Sequence, residues 1–135
     1  LHELISFSYL KIPTSDEQKL KSKSIRSKDI LEKLEKVLHY INNQYMENIT
    51  LEDAANIINF APNYFVRYWK KYMGLSFHTY LNQVRISIAI SMLLNGTQQI
   101  NEISHQVGFH NVKTFNRIFK QITGTSPSQY RKRYL

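Results

Sequence analysis

The chain repeats itself, and the repeat limits its fold more than any other feature. Leu51, Ala54, Ile58 and Phe60 recur 49 positions later as Ile100, Ile103, Val107 and Phe109. Phe65, Arg67, Trp69, Lys70, Gly74, Ser76 and Tyr80 recur 50 positions later as Phe115, Arg117, Phe119, Lys120, Gly124, Ser126 and Tyr130. The one-residue change of offset belongs in a turn between paired helices, where an insertion is most easily tolerated. Apolar residues inside each copy return at threes and fours, the period of a helix face turned to a core. Each copy therefore reads as a short helix, a tight turn at Asn59 or Gly108, and a second helix bearing Arg and Lys.

The remaining sequence extends this to an all-α fold of about seven helices, two repeated units joined by a long central helix. A first helix is expected from about Asp29 to Tyr45, where Ile30, Leu34, Val37, Leu38, Ile41 and Tyr45 keep the helical spacing and Glu32–Lys36 form an outer pair. Thr50 caps a short second helix, with Asp53 approximating a capping box. Pro62 opens the third helix, which Gly74 stops after Tyr72. Ser76 caps the fourth, which reaches Leu94 ahead of Gly96. The fifth covers about Ile100–Gln106, the sixth about Val112–Thr123 before Gly124, and Ser126-Pro127 opens a last one ending at Tyr134. No segment has a strand pattern. Residues 13–29, a Lys/Ser alternation without apolar period, read as a linker. The division expected is 1–29, linker or end of an upstream domain, and 30–135, one domain with its repeats at about 50–73 and 99–123. The leucine at position 1, with nothing like a signal peptide after it, suggests a fragment of a longer, cytoplasmic protein.

Two helices around a tight turn, the second one basic, make a helix-turn-helix unit, whose second helix enters the major groove of DNA. The charge distribution agrees. Residues 1–53 carry eight Lys/Arg against nine Asp/Glu, whereas residues 54–135 carry ten against Glu102 alone, a net +9. A basic surface of that size is an electrostatic footprint for a polyanion. With no cysteine, disulfides, thiolate catalysis and cysteine-ligated metals are excluded. The five histidines (His2, His39, His78, His105, His110) never meet an acid at metal-ligand spacing, and no phosphate loop or nucleophile with a base is present. Neither a catalytic site, nor a cofactor, nor a metal is expected, and no apolar run is long enough to span a membrane.

A helical wheel divides the second helix of each copy. In the sixth helix Phe115, Ile118, Phe119 and Ile122 form the inner stripe, leaving Lys113, Asn116, Arg117 and Lys120 together outside. In the third, Phe65, Trp69 and Tyr72 face inward, leaving Asn63, Val66, Arg67, Lys70 and Lys71 outside. Arg67 and Arg117 suit direct base readout, because a guanidinium pairs bidentately with guanine O6 and N7. Lys70, Lys71 and Lys120 sit a turn deeper and suit phosphates, which position without specifying. Val66 and Val112 suit thymine methyl groups. The fourth helix, roughly 28 Å long at about 1.5 Å per residue, is comparable to one DNA turn of about 34 Å.

Residues 31–134 resemble the DNA-binding domain of the AraC/XylS transcriptional regulators. The strongest segment is Ile100–Tyr130, with Ile-x-x-Ile-x-x-x-Val-Gly-Phe, Thr-Phe-x-Arg-x-Phe-Lys and Gly-x-Ser-Pro-x-x-Tyr-Arg in order. The first copy departs from the pattern at Asn59, where glycine is usual, and at Ala61, where a capping serine is usual, a loss of about 1 kcal/mol. Ser104 replaces a small alanine. The resemblance implies sequence-specific duplex-DNA binding and transcription regulation, activation among its forms, by two recognition helices in successive major grooves. It places base contacts at Asn63, Val66 and Arg67, and at Val112, Lys113, Asn116 and Arg117. The implied partners are double-stranded DNA and RNA polymerase, with the fragment monomeric and dimerisation left to the full-length protein. The alternatives are a basic module for RNA or an anionic surface, or a protein-interaction domain. Duplex competition and salt dependence separate them.

Overall fold

A computed structural model describes residues 17–135, with side chains from Lys21 onward. Seven helices and no strand occur among the described residues: α1 (Glu17–Gln44), α2 (Leu51–Ile57), α3 (Pro62–Met73), α4 (Phe77–Asn95), α5 (Ile100–Gln106), α6 (Val112–Thr123) and α7 (Pro127–Tyr134). The all-α reading holds, and most ends fall within a residue or two of their sequence signals. The exception is the start of α1. The segment read as a linker is helical from Glu17, twelve residues before Asp29, while the part of that reading before Glu17 lies outside the described residues. Lysine and serine do not break a helix; they only fail to mark a buried face, so periodicity found where α1 begins to pack and not where it begins. The pair on its surface is Lys33 with Asp29, at 2.7 Å, rather than Glu32 with Lys36.

The chain divides into two compact units. The first takes α1 up to Tyr40 together with Leu51–Ser76. Its buried side chains are Leu34, Val37 and Leu38 of α1, Ala54 and Ala55 of α2, Ile58 in the turn, and Phe65, Tyr68 and Trp69 of α3. The two alanines leave room for α3's aromatic rings, Phe65 and Trp69 lying 5.8 Å apart. The second unit takes Ile41–Thr50 and Phe77–Leu135. Ile86, Ala89 and Leu93 of α4, Ile103 and Val107 around α5, and Phe109, Phe115 and Phe119 form its core, with Ile88, Ile100, Ile118 and Tyr130 packed around it.

The duplication is visible at the level of single hydrogen bonds. Phe60 N–H donates to Ala55 O and Phe109 N–H to Ser104 O, both at 2.9 Å. Asn59 and Gly108 N–H donate to Asn56 O and His105 O, both at 3.1 Å. The turn residues share a positive φ, 59° at Asn59 and 105° at Gly108. Asparagine tolerates the first of these. Gly108 is held by more than its φ, since a Cβ there would lie 2.6 Å from Tyr45 O and 2.8 Å from Arg85 Nε.

Two arginines close the second unit. Arg85, on α4, donates from Nε to Tyr45 O (2.7 Å) and from Nη2 to Glu47 O (2.8 Å), with its guanidinium 5.8 Å from the Phe109 ring. Desolvation lowers its pKa. Its surroundings, undecided by sequence, are therefore carbonyls and an aromatic face. Arg131, on α7, donates to Leu93 O (3.1 Å), Gln98 O (2.7 Å) and Gly96 O (3.5 Å), tying down the loop after α4. Charge-assisted bonds to carbonyls at helix ends satisfy acceptors that the helix leaves open.

Candidate nucleic-acid interface

The outward face of α3 is set by the three aromatic residues that the helix buries on its other side. With Phe65, Tyr68 and Trp69 buried, Asn63, Val66, Arg67, Lys70 and Lys71 are all exposed, Val66 at 43%. Tyr72 corrects the expected inner stripe. It is exposed, and Tyr68 holds the buried position instead. In the last turn before Gly74 the Tyr72 ring lies edge-on to Tyr68 at 4.9 Å, with the Lys71 ammonium 5.2 Å from its centre. An amphipathic ring of this kind rests its body on a neighbour and keeps its hydroxyl in water. Tyr64, also exposed, joins the same row against Phe60 at 4.8 Å, an aromatic edge the sequence reading did not single out.

Helix α6 makes the equivalent face in the second unit. Phe115 and Phe119 are fully buried, and Lys113, Asn116, Arg117 and Lys120 are exposed together. Two expected positions differ. Ile122, placed on the inner stripe, is 43% exposed, because the stripe outruns the core in the last turn before Gly124. Val112, placed outside, is half-buried and packs partly on the core of its unit. The face the structure brings together in the second unit is therefore Lys113, Asn116, Arg117 and Lys120. These match Asn63, Val66, Arg67 and Lys70 of the first unit at the 50-residue offset.

The two faces are anchored differently. Ala61, at the N-cap of α3, offers no side-chain bond. Asn111, at the N-cap of α6, accepts from Thr114 N–H at 2.8 Å. The sequence reading missed Asn111, although an asparagine just before a helix that starts at Val112 is an N-cap signal. Both helices end the same way, with Gly74 and Gly124 in the left-handed region donating N–H to Lys70 O and Lys120 O. Beneath α6, the buried Ser104 hydroxyl donates to Asn101 O at 2.9 Å, so serine in place of alanine leaves no unsatisfied group there. His105 and His110 are exposed. Among the described residues no group of three or more His, Asp or Glu is placed to hold a metal ion, and no helix is long and apolar enough to cross a membrane.

A helix-turn-helix domain family matches residues 54–133. The chain is 31% identical over 100 residues to the regulatory protein PocR of Salmonella typhimurium, covering 74% of this chain and 33% of PocR. It therefore spans about a third of that relative's length. Among solved structures it is similar to the C-terminal domain of AraT, a response regulator from Geobacillus stearothermophilus, with 33% identity, a TM-score of 0.71, and 74% and 84% of the two chains covered. The DNA-binding domain of the transcriptional factor AdpA, in complex with a target DNA, matches with a TM-score of 0.71 at 22% identity, over 75% and 91% of the two chains. At that identity the likeness speaks for the fold.

Proposed function

The chain belongs to the AraC-type family of helix-turn-helix transcriptional regulators, and on that footing we propose that it reads duplex DNA with the exposed faces of α3 and α6. The observation that carries this reading is the matched pair of faces: an arginine, Arg67 or Arg117, in the middle of each, with flanking polar or basic residues at the same offset. Arg67 and Arg117 are assigned to base edges, where a guanidinium discriminates guanine. Asn63, Val66, Lys113 and Asn116 stand nearest the helix starts and share that readout. Lys70, Lys71 and Lys120 hold phosphates. Val112, packed partly on the core, has less of its side chain to offer a thymine methyl group than Val66 has.

The two faces carry different side chains, Val66 against Asn116 and Lys71 against Gln121, so the site is asymmetric rather than palindromic. The successive-groove arrangement is part of the same proposal. It is motivated by the 19 residues of α4, a helix of about 28 Å. RNA polymerase is the second partner proposed, and the cytoplasm the compartment. Selection of sites from randomised duplexes, followed by footprinting, tests the whole reading. Protection of two neighbouring major grooves on one face, about 10 bp apart, is expected. A palindromic site, or equal binding to every duplex, would overturn it.

A further inference from the structure

The N-terminal half of α1 takes no part in the faces described so far. Leu34 is the first fully buried residue along it and Ile30 and Leu31 are already half-buried, so the segment from Lys21 reaches about 14 Å ahead of that first packed turn at about 1.5 Å per residue. Lys21, Lys23, Arg26 and Lys28 are all exposed, with no acid between Lys21 and Lys28, and Asp29 is engaged by Lys33. Four cations are thus crowded onto about two turns of helix with no acid among them. Their mutual repulsion is a standing cost that an anion relieves.

Two of the four have a definite direction. Ile30, Leu34, Val37 and Ile41 make the stripe of α1 that turns to the core, spaced four, three and four. Followed toward the N-terminus, the same stripe passes through Arg26 and Lys23, again at four and three. The seam that is apolar over the body thus becomes cationic beyond it. We propose that this half of α1 is a third DNA contact, in which Lys23 and Arg26 grip backbone phosphates flanking the groove entered by α3. The inference rests on the duplex-DNA reading above. Other occupants fit less well. A helix lying on a membrane surface needs an apolar face, and here cations occupy that stripe. A protein interface needs a buried apolar or aromatic anchor, and Ile25, 70% exposed, is the one large apolar side chain from Lys21 to Lys28. Duplex held by α3 is tethered to the compact unit that α1 also belongs to, which raises its effective concentration at a second contact on that unit.

The test compares the 135-residue protein with Lys23→Gln/Arg26→Gln on two duplexes, one limited to the footprint and one extended by about one helical turn, ~10 bp, on each side. On the extended duplex the double variant is expected to lower the slope of log K against log salt by about two, at about 0.9 per phosphate. On the short duplex, slope and affinity should match the parent's. Glutamine is a good helix former, and circular dichroism confirms equal helicity. Lys23→Arg/Arg26→Lys should restore the parent slope. Equal slopes for parent and double variant on the extended duplex, while Arg117→Ala still relaxes base preference, would overturn the third contact and leave the duplex reading standing. A parent that binds neither duplex would overturn both. Release from phosphatidylglycerol vesicles in the double variant, with duplex binding unchanged, would give the arm to a membrane surface and overturn the proposal.

Discussion

Arg117 and Tyr68 sit one on each side of the boundary between reading and holding. Arg117 is exposed beside buried Phe115 and Phe119, so Arg117→Ala should leave thermal stability unchanged. It should remove about 1–3 kcal/mol of discrimination at one base pair, measured on duplexes differing at that pair. Equal loss on specific and random DNA would reassign it to a phosphate. Tyr68 is buried, and its hydroxyl has no hydrogen-bond partner among the described residues. Burial, then the charge of Asp29, pushes its phenol well above 10. Below pH 10 the group is neutral whether folded or not. Above it the unfolded chain ionises first, so stability is lost as pH rises. Burial likewise raises Tyr80. Tyr68→Phe should be neutral or up to about 1 kcal/mol stabilising at pH 7, and should lose less stability than the parent between about pH 9 and 11, in urea titrations at each pH. Marked destabilisation at pH 7 would mean the hydroxyl has a partner.

At the level of the helix, α3 and α6 test how far a wheel can be trusted. Phe119→Ala should cost about 3–5 kcal/mol, and Ile122→Ala, one turn on but exposed, under about 0.5 kcal/mol; chemical denaturation measures both. A similar cost for the two would restore Ile122 to the core. The period of α6 gave the side on which Phe115, Phe119 and Ile122 lie, yet no periodicity tells where the opposing surface ends. The same gap explains Tyr72, and Val112, whose position in the first turn looks outward on a wheel while the core of its unit reaches it. The order of helices, the turns at Asn59 and Gly108 and the two arginine-centred faces were legible because the duplication states them twice. Arg85 was not. Its partners are carbonyls 38 and 40 residues away, and backbone acceptors leave no signature in a sequence. Nor was the start of α1, since cations and serines carry no core-facing period.

Over the whole chain, the two repeats differ in surrounding charge and in capping as well as in side chains. Residues 97–135 hold six Lys/Arg and one acid, residues 31–96 six and five, and α6 has a side-chain cap where α3 has none. Neutralising Lys113 and Lys120 together should lower the log K against log salt slope by about two, and neutralising Lys70 and Lys71 by less. Equal changes would make the units equivalent, and no change in either case would remove the physical support for DNA binding. The turns differ too. Position 59 accepts a side chain, whereas at position 108 a carbonyl and a guanidinium already fill the space a Cβ needs. A duplicated unit is raw material for divergence, and here the two copies have unequal freedom to drift. The first carries a side chain at its turn, chosen from the few that a left-handed φ allows. The second is locked to glycine by its own packing, so exchange at the turn is open to the first copy and closed to the second.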